Sequence, residues 1–474
     1  MTMIIEPRAE YTLQLPDVVR NRAAAAGERE VKRQRTTFLP PLASMCCSVS
    51  ENEQGEQVYN QHPQLTLEGT AAYNKMLSQA SFYGATGMTL EGLIGLIFSK
   101  KAVQEIPASI EFMNDNVDGR GSSLRDLAKK AVREILLTPR SGILVARPST
   151  VTGTSKLEVE RQNLRPKLMH YRFEDIITWD YGVINNVEKL SFTVLREVVT
   201  VRTKFKIESE YQYRVLELID NVYHQSVLGD GGAEITPAMP VMVNGSTVDT
   251  IPFFIDDKGL EGKPALNELV DMNFHHYQVS ADYNSKNHFS SFVIWYETGG
   301  GSSRQNMMMG NGVKWSNENE GATFGVLQAD GNADALRLSL QDDEQRMAAL
   351  GAEALRPRSS GVESAEAKSL DKVAQNSTTA DAAITASEMI VKALNFASLW
   401  MGGTEDAVYT LNTDYNPAGM SAQDQLALFT QYQGQGISFQ TYYENLQRGE
   451  VGNVERTWED EKALIQNAST GMDE

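Results

Sequence analysis

The sequence has only two cysteines among its 474 residues, and they are the neighbours Cys46 and Cys47. Adjacent cysteines provide no disulfide framework, so we expect the protein to fold in a reducing compartment. The six histidines add few further metal ligands. This composition argues against a zinc site built from several ligands.

Long hydrophobic runs are also missing. No run approaches the roughly 18 residues of a membrane span. The first residues do not combine the basic, apolar and cleavage segments of a signal peptide. Hydrophobic residues at 41% and charged residues at 22% are ordinary values for a globular protein. We therefore expect a soluble protein of roughly two to four domains that is assembled in the cytoplasm.

The motifs of nucleotide and nucleophile chemistry are absent. The string GLEGKP at 259–264 has the wrong spacing for a Walker loop and places a proline at the magnesium-binding hydroxyl position. The glycine clusters at 229–232 and 299–301 lack the G-x-G-x-x-G spacing. No histidine or lysine is placed to activate Ser359 or Ser360. These absences predict a protein that is not an enzyme and binds no cofactor.

The chain is strongly acidic, with a net charge of −19 from 43 basic and 62 acidic residues. About half of this excess lies in residues 403–474, which hold twelve acidic and three basic residues. Such a surface does not grip nucleic acid tightly, because binding to phosphates requires basic side chains. A surface that DNA slides past remains compatible with this charge.

One predicted helix carries several potential metal ligands: Asp271, His275, His276, Asp282 and His288. Asp271 and His275 stand four residues apart and would share a helix face, but two ligands make a poor site. His276 falls on another face. We interpret these side chains as polar helix-face or inter-subunit residues and expect no metal.

The first half of the chain has an α+β pattern. Residues 1–60, with a basic stretch from Arg29 to Arg35, predict an extended arm that contacts a neighbouring subunit or nucleic acid, or is a solvated tail. Helical spacing predicts two short helices between Leu65 and Phe98 and a third from Leu124, capped by Ser122 or Ser123 and closed by Pro139. Alternating β-branched residues then predict a meander of strands at Ile143–Val145, Ile176–Trp179, Leu190–Lys206, Tyr211–Leu218 and Val222–Leu228, a loop-rich stretch at 229–247 and a last strand at Val248–Ile255.

The second half is dominated by long helices. Runs without glycine or proline predict helices at Ala265–Phe289, Ala333–Leu355 and Val362–Met401. A small β insert separates the first two, and a Pro- and Gly-containing loop separates the last two. A strand at Ala407–Leu411, two helices from Ser421 to Arg448 and an acidic tail complete the chain.

This order of elements resembles the portal proteins of tailed bacteriophages. Several strings are similar to the portal family long described only as a domain of unknown function: YGATGMTLEGLIGLIF at 83–98, NDNVDGRGSSLRDLAKKAVREILLTPRSGILV at 114–145, YRFEDIITWDYG at 171–182, TIPFFI at 250–255, ALNELVDMNFHHYQVSADYNSKNHF at 265–289, QRMAALGAEAL at 345–355 and VESAEAKSLDKVAQNSTTADAAI at 362–384. Their order along the chain carries the resemblance, which spans about residues 65–450. The arm before 60 and the tail after 450 lie outside it.

The resemblance implies a portal fold with defined parts. These parts are an N-terminal arm at 1–60, an α+β wing at 61–263, a stem helix at 264–289, a β-rich clip at 290–331, a second stem helix at 332–355, a tunnel loop at 356–361, a long wing helix at 362–402, and a wing strand with a helical acidic crown at 403–474.

The resemblance also implies a function. A ring of subunits, typically twelve, would occupy one capsid vertex of the virion and serve as the channel for packaging and ejection of double-stranded DNA. Its partners would be further copies of itself, the major capsid protein, scaffold, the large terminase subunit, the head-tail adaptor and the passing DNA. The alternative is another phage capsid or tail structural protein that forms a connector without a DNA channel.

Two groups of residues are the expected contact sites. Exposed aromatic and methionine side chains of the clip would bind terminase and adaptor: Trp295, Tyr296, Met307, Met308, Met309 and Trp315. The tunnel loop would project into the channel with Arg356, Arg358, Ser359, Ser360 and Gly361. Its two arginines either touch DNA phosphates transiently or pair with acidic residues of a neighbouring stem.

Overall fold

The chain combines α-helices with antiparallel strands, with 49% helix and 26% strand. A computed structural model describes residues 5–51, 57–146, 165–184, 186–243, 245–290, 293–298, 321, 323–328, 332–352, 365–413, 415, 422–448, 451–452 and 456–470. These proportions confirm the predicted α+β class. Within the described ranges, none of the helices combines the length and the hydrophobicity that a membrane span requires.

The predicted helices are present, with boundaries that differ by a few residues. The described residues form α1 (Ala9–Ala26), α2 (Glu28–Arg33), α3 (Leu67–Gln79), α4 (Ala85–Ile97), α5 (Leu124–Leu137), α6 (Asn267–Ser290), α7 (Asp334–Met347), α8 (Ala365–Trp400), α9 (Ala422–Gln433), α10 (Phe439–Arg448) and α11 (Trp458–Thr470). Helix α11 lies within the segment that the sequence predicted only as an acidic tail.

The strands pair with their neighbours along the chain in most cases. They are β1 (Cys46–Glu51), β2 (Gln57–Leu65), β3 (Val103–Glu105), β4 (Arg140–Ala146), β5 (Lys167–Tyr171), β6 (Ile176–Ile184), β7 (Val187–Thr203), β8 (Lys206–Ile219), β9 (Val222–Gly229), β10 (Glu234–Pro240), β11 (Met242–Val243), β12 (Ser246–Thr247), β13 (Phe253–Asp257), β14 (Val293–Thr298), β15 (Thr323–Gln328) and β16 (Val408–Thr410). Strands β6 to β10 form one antiparallel sheet in chain order, which confirms the predicted meander.

Three strand predictions need correction. The stretch Leu190–Lys206 is not one strand, because the chain turns between β7 and β8 and pairs Thr203 with Lys206. Residues 229–247 contain three short strands in place of a loop. The last strand begins at Phe253, five residues later than expected, and its partner is β4 in a three-stranded sheet ordered β13-β4-β5. Pro252 explains this late start, since proline has no N–H to donate to a sheet.

The predicted extended arm is also wrong in part, because α1 is a helix that packs into the body. Tyr11 and Val18 belong to a buried cluster, and Ala23 and Ala24 belong to another. The basic residues that suggested a solvated arm pair locally, with Lys32 2.6 Å from Glu28 and Arg33 2.8 Å from Glu30. These ion pairs compensate two of the four basic residues of the stretch.

Helix α5 forms the centre of the body, and its start follows from its cap. The hydroxyl of Ser123 accepts the Asp126 N–H at 3.1 Å, and the Asp126 carboxylate accepts the Ser123 N–H at 3.2 Å, which is a complete capping box. The helix ends at Leu137, two residues before Pro139. Both predicted boundaries are confirmed.

The sheet residues share one large apolar core. It contains Tyr11, Val18, Leu144, Ala146, Tyr171, Phe173, Ile176, Ile177, Trp179, Leu195, Leu216, Tyr223, Ile251 and Phe253. At Gly142 on β4 a side chain would meet the Phe253 ring at 2.3 Å, so glycine is required for this close approach.

The chain divides into two compact units, Met1–Thr413 and Asp414–Glu474. Strand β16 pairs with β3 and so belongs to the first unit. In the second unit, α9 and α10 meet through aromatic rings, with Tyr432 and Tyr442 stacked at 4.8 Å.

Candidate functional site

Helices α6 and α7 form an antiparallel hairpin. His275 Nδ1 lies 2.8 Å from the Asp343 carboxylate, and Lys286 Nζ donates to the carbonyl of Asn332 at 2.5 Å. From the first contact to the second, the position on α6 rises by eleven residues, from 275 to 286. The position on the returning segment falls by eleven, from 343 to 332. The two helices therefore stay in register over about 16 Å, at 1.5 Å per residue.

One face of α6 fixes this hairpin to the body. Apolar residues at helical spacing in the sequence predict which face of this helix packs, and the structure buries all of them: Leu266, Leu269, Val270, Phe274, Tyr277 and Ala281. Phe274 packs against Phe38 and Phe82, with ring centroids 4.6 and 5.7 Å away. Because Phe38 comes from the N-terminal segment, that segment is part of the hairpin's support.

A buried amide adds directionality to this packing. Asn273 Oδ1 accepts from the Thr86 hydroxyl at 2.9 Å, and its Nδ2 donates to the carbonyl of Tyr83 at 2.5 Å. These bonds join α6 to the start of α4. The role of Asn273 is not visible in the sequence, because its partners lie about 190 positions earlier in the chain.

The histidines of α6 mark its contact with α7. Asp343 is buried beside the half-exposed His275, and the buried His276 places Nε2 3.5 Å from a Glu344 carboxylate oxygen. Burial lowers the pKa of His276, although the neighbouring carboxylate of Glu344 opposes that shift. These residues act as inter-helix contacts within one chain.

The other suggested ligands do not join them in a metal site. Asp271 is paired with Arg20 at 2.7 Å, on the side of α6 that meets α1. Among the described residues no three His, Cys, Asp or Glu side chains converge so as to hold a metal ion.

A two-stranded hairpin stands at the far end of the helical pair. Strands β14 and β15 pair antiparallel from Val293–Gln328 to Thr298–Thr323, and their flanks join α6 to α7. Tyr296 faces Gly325, where an added side chain would meet the tyrosine ring at 2.4 Å. An aromatic ring covering a glycine is a known way to hold strand register.

Only part of the predicted clip surface can be located. Tyr296 is 47% exposed, in agreement with the expected accessible aromatic. Trp295 lies on β14, with its backbone paired to Val326. Met307, Met308, Met309 and Trp315 lie outside the described residues.

The predicted tunnel loop follows α7. A π-helical turn at Ala348–Ala352 extends that helix, and α8 begins at Ala365. Arg356, Arg358, Ser359, Ser360 and Gly361 lie outside the described residues, so their role stays a prediction.

The buried face of helix α8 consists largely of small residues. Ala382, Ala383, Ala386, Ala393 and Ala397 are all buried. Its neighbours in space are α5, β4 and β13. Small side chains permit this close approach and leave space for larger ones such as Met389 and Ile390.

Two arginines, the partly buried Arg22 and the fully buried Arg140, join elements of the body, and neither was identified from the sequence. Arg22 on α1 donates to Glu134 on α5 at 2.7 and 2.9 Å, and also bonds Glu174. Burial alone would raise the pKa of Glu174, but the hydrogen bonds and charge of Arg22 outweigh it and keep that pKa below its usual value. Arg140 is fully buried, contacts Asp257 at 3.0 Å and lies 3.3 Å from the Trp179 ring centroid.

Comparison with known proteins gives one family match. A family model described as a domain of unknown function (DUF4055) matches residues 265–401. This stretch begins just before α6 and ends just after α8, so it spans the helical hairpin, the β hairpin and the long helix. The match covers less than half of the chain. No curated protein matches the sequence.

Proposed function

We propose that the chain is a phage portal protein, a subunit of a ring of twelve copies at one capsid vertex, through which double-stranded DNA is packaged and ejected. The observation that carries this proposal is the α6–α7 hairpin, which holds a small β hairpin at one end and is followed by the 36-residue helix α8. A helical pair of this kind is suited to be one stave of a barrel. The family match supports the proposal only in that it covers the same stretch as one unit.

The surface of α7 supports the same proposal. Asp343 and Met347 are its buried residues, so much of the helix is open to neighbouring copies. It exposes the acids Asp334, Asp342 and Glu344 against the bases Arg337 and Arg346. This small negative excess suits a channel wall, because carboxylates repel the phosphate backbone and do not trap it by counterion release. The channel would need neither a catalytic group nor a cofactor, since a separate terminase drives packaging.

The clip and the loop have proposed roles within this assembly. The β14–β15 hairpin would bind terminase during packaging and the adaptor afterwards, and deletion of residues 299–312 should abolish at least one of these interactions. Arg356 and Arg358 would touch passing phosphates weakly. Changing both to alanine should leave rings intact and alter the retention of packaged DNA.

Negative-stain electron microscopy of the purified protein tests the proposal. We expect rings with an axial hole wide enough for duplex DNA. Leu340→Pro removes a backbone donor in the middle of α7 at a cost of about 3 kcal/mol or more, so its rings should form poorly. Particles without a hole, or shells and sheets, would favour the alternative of a connector without a DNA channel. Normal ring yield from the proline variant would contradict a helical stem.

A further inference from the structure

The end of the β7–β8 hairpin extends beyond the sheet that carries it. Strand β6 pairs with β7 only as far as Leu195, and β9 pairs with β8 only from Gln212. Residues 198–211 therefore pair only with each other, through six residue pairs that end at Thr203–Lys206. This two-stranded ribbon is about 20 Å long, at roughly 3.4 Å per residue.

The ribbon exposes a group of large apolar side chains to solvent. Phe205 at its turn is 93% exposed, Ile207 is 68% exposed and Val198 is 60% exposed. An isolated two-stranded ribbon is only marginally stable in water. A contact that covers these side chains would stabilise it.

The turn of the ribbon is basic in an acidic protein. The ribbon holds Arg202, Lys204 and Lys206 against Glu208 and Glu210, and Lys206 pairs with Glu208, so the excess positive charge lies near the turn, where Lys204 stands. The whole chain, by contrast, carries a net charge of −19. Lys204 lies 5.6 Å from the Phe205 ring centroid, so the tip combines an aromatic ring with a positive charge. The surface that receives this tip should be apolar with an acidic rim.

The first unit contains a groove with these properties between α8 and β16. Its volume is about 250 Å³, enough for one aromatic side chain, and it is lined by Ile384, Ser387, Glu388, Val391, Tyr409, Thr410, Leu411 and Thr413. Tyr409 and Leu411 are buried at its base, and Ile384 is 49% exposed at its rim. Glu388 is exposed and makes no ion pair within the described part of the chain. Residues 380–413 carry four acidic residues and one basic residue.

We infer that the ribbon tip of one copy docks in the α8–β16 groove of a second copy, with the Phe205 ring in the groove and Lys204 beside Glu388. The occupant is a second copy because both surfaces belong to this chain, yet within one molecule Phe205 stays exposed. A contact between two different patches is head-to-tail and closes into a ring when the rotation permits. The inference rests on the proposed ring, for which it supplies a subunit contact outside the helical hairpin.

Phe205→Ser tests the ring contact, and Leu67→Ser is its matched control because Leu67 is 91% exposed elsewhere. A central aromatic anchor typically contributes enough that its loss weakens association roughly 30-fold or more. Sedimentation velocity over a range of protein concentrations should show this shift for Phe205→Ser and none for Leu67→Ser. Thermal unfolding of the two variants should match the parent. Parent-like assembly of Phe205→Ser overturns the inference.

A charge exchange tests the pairing. Lys204→Glu should weaken assembly, and adding Glu388→Lys should restore it, whereas Lys263→Glu should have no effect. If the ribbon variants instead reduce binding of duplex DNA and leave assembly unchanged, the ribbon binds nucleic acid and the inference is wrong.

Crosslinking separates this inference from the proposed function. In a background with both native cysteines changed to serine, Phe205→Cys with Thr410→Cys should give a ladder of covalent oligomers on a non-reducing gel, and Leu67→Cys with Thr410→Cys should not. Rings that form without the ladder overturn only the docking contact. A chain that stays monomeric at high concentration overturns the docking contact and the ring together.

Discussion

Helices α5 and α7 have the same length of 14 residues but opposite surroundings. Nine residues of α5 are buried, against two of α7. A capping box begins α5, whereas Ala333 at the start of α7 has no side-chain cap. The packing around α5 is therefore complete within one chain, whereas α7, the outer helix of the hairpin, is packed on one side only. Its remaining surface is available to neighbouring copies.

The largest effect should come from the buried charges around α5. Arg22→Ala leaves Glu134 and Glu174 buried without their partner, so we expect the free energy of unfolding to fall by about 3–5 kcal/mol. Arg33→Ala is the control, because Arg33 is 69% exposed beside Glu30 and its loss should cost about 0–1 kcal/mol. Urea unfolding measures both. Equal costs would mean that the body does not depend on its buried charges.

A matched pair of leucines sharpens the comparison between the helices. Leu136 on α5 is fully buried and Leu338 on α7 is 51% exposed. Leu136→Ala should lower the free energy of unfolding by about 2–5 kcal/mol because it leaves a cavity. Leu338→Ala should change it by no more than about 0.5 kcal/mol in the monomer. Sedimentation velocity should give the opposite order for assembly, because Leu338→Ala should weaken the association of copies more than Leu136→Ala does. A large loss of monomer stability from Leu338→Ala would contradict an open α7.

The stability of the body, which contains His170, and that of the helical hairpin, which contains His276, should also depend differently on pH. Burial lowers the pKa of His170 on β5 to about 3, and its Nε2 has no hydrogen-bond partner. The unfolded chain binds this proton near pH 6.5, so stability is present above that pH and declines as the pH falls toward 3. His170→Gln should flatten this decline in unfolding curves taken from pH 7 to 4. His276→Gln should flatten the decline of stability less, because Glu344 opposes the lowering of the His276 pKa by burial. An unchanged decline in His170→Gln would contradict this assignment.

The smallest effect concerns the helix starts. Ser123→Ala removes the capping box of α5 and should lower the free energy of unfolding by about 1 kcal/mol. Asn332→Ala removes the 2.9 Å hydrogen bond that Asn332 Oδ1 accepts from the Asp334 N–H at the start of α7. Because this bond is exposed, its loss should lower the free energy of unfolding by only about a few tenths of a kcal/mol. Thermal denaturation of both variants checks the difference. A larger loss from Asn332→Ala would show that α7 contributes more to the monomer than its burial indicates.

The helical half of the fold was predictable from local signals. Proline before α6, glycine-free runs through α6 and α8, and the Ser123 cap of α5 each act within a few residues, so the sequence displays them directly. The turn between β7 and β8 was missed, because Lys204 and Phe205 are not typical turn residues. Helix α1 was missed because Pro16 lies inside it and its buried face includes the polar residues Gln14 and Asn21.

The supporting residues of the site could not be predicted. Arg22 bonds partners 112 and 152 positions away, and Arg140 contacts Asp257 117 positions away. No spacing rule connects residues at such separations. The groove between α8 and β16 was missed for the same reason, since its lining comes from two elements that only folding brings together.

The positions of the long helices, the buried face of α6 and the acidity of the chain can all be read from the sequence alone. These properties depend on periodicity and composition, which are local or additive. Three further features become visible only in the folded chain: α1 joins the core, Arg22 and Arg140 join distant elements of the body, and the β7–β8 ribbon extends beyond its sheet. These outcomes depend on contacts between distant residues, whose free energies exist only once packing removes water from both partners.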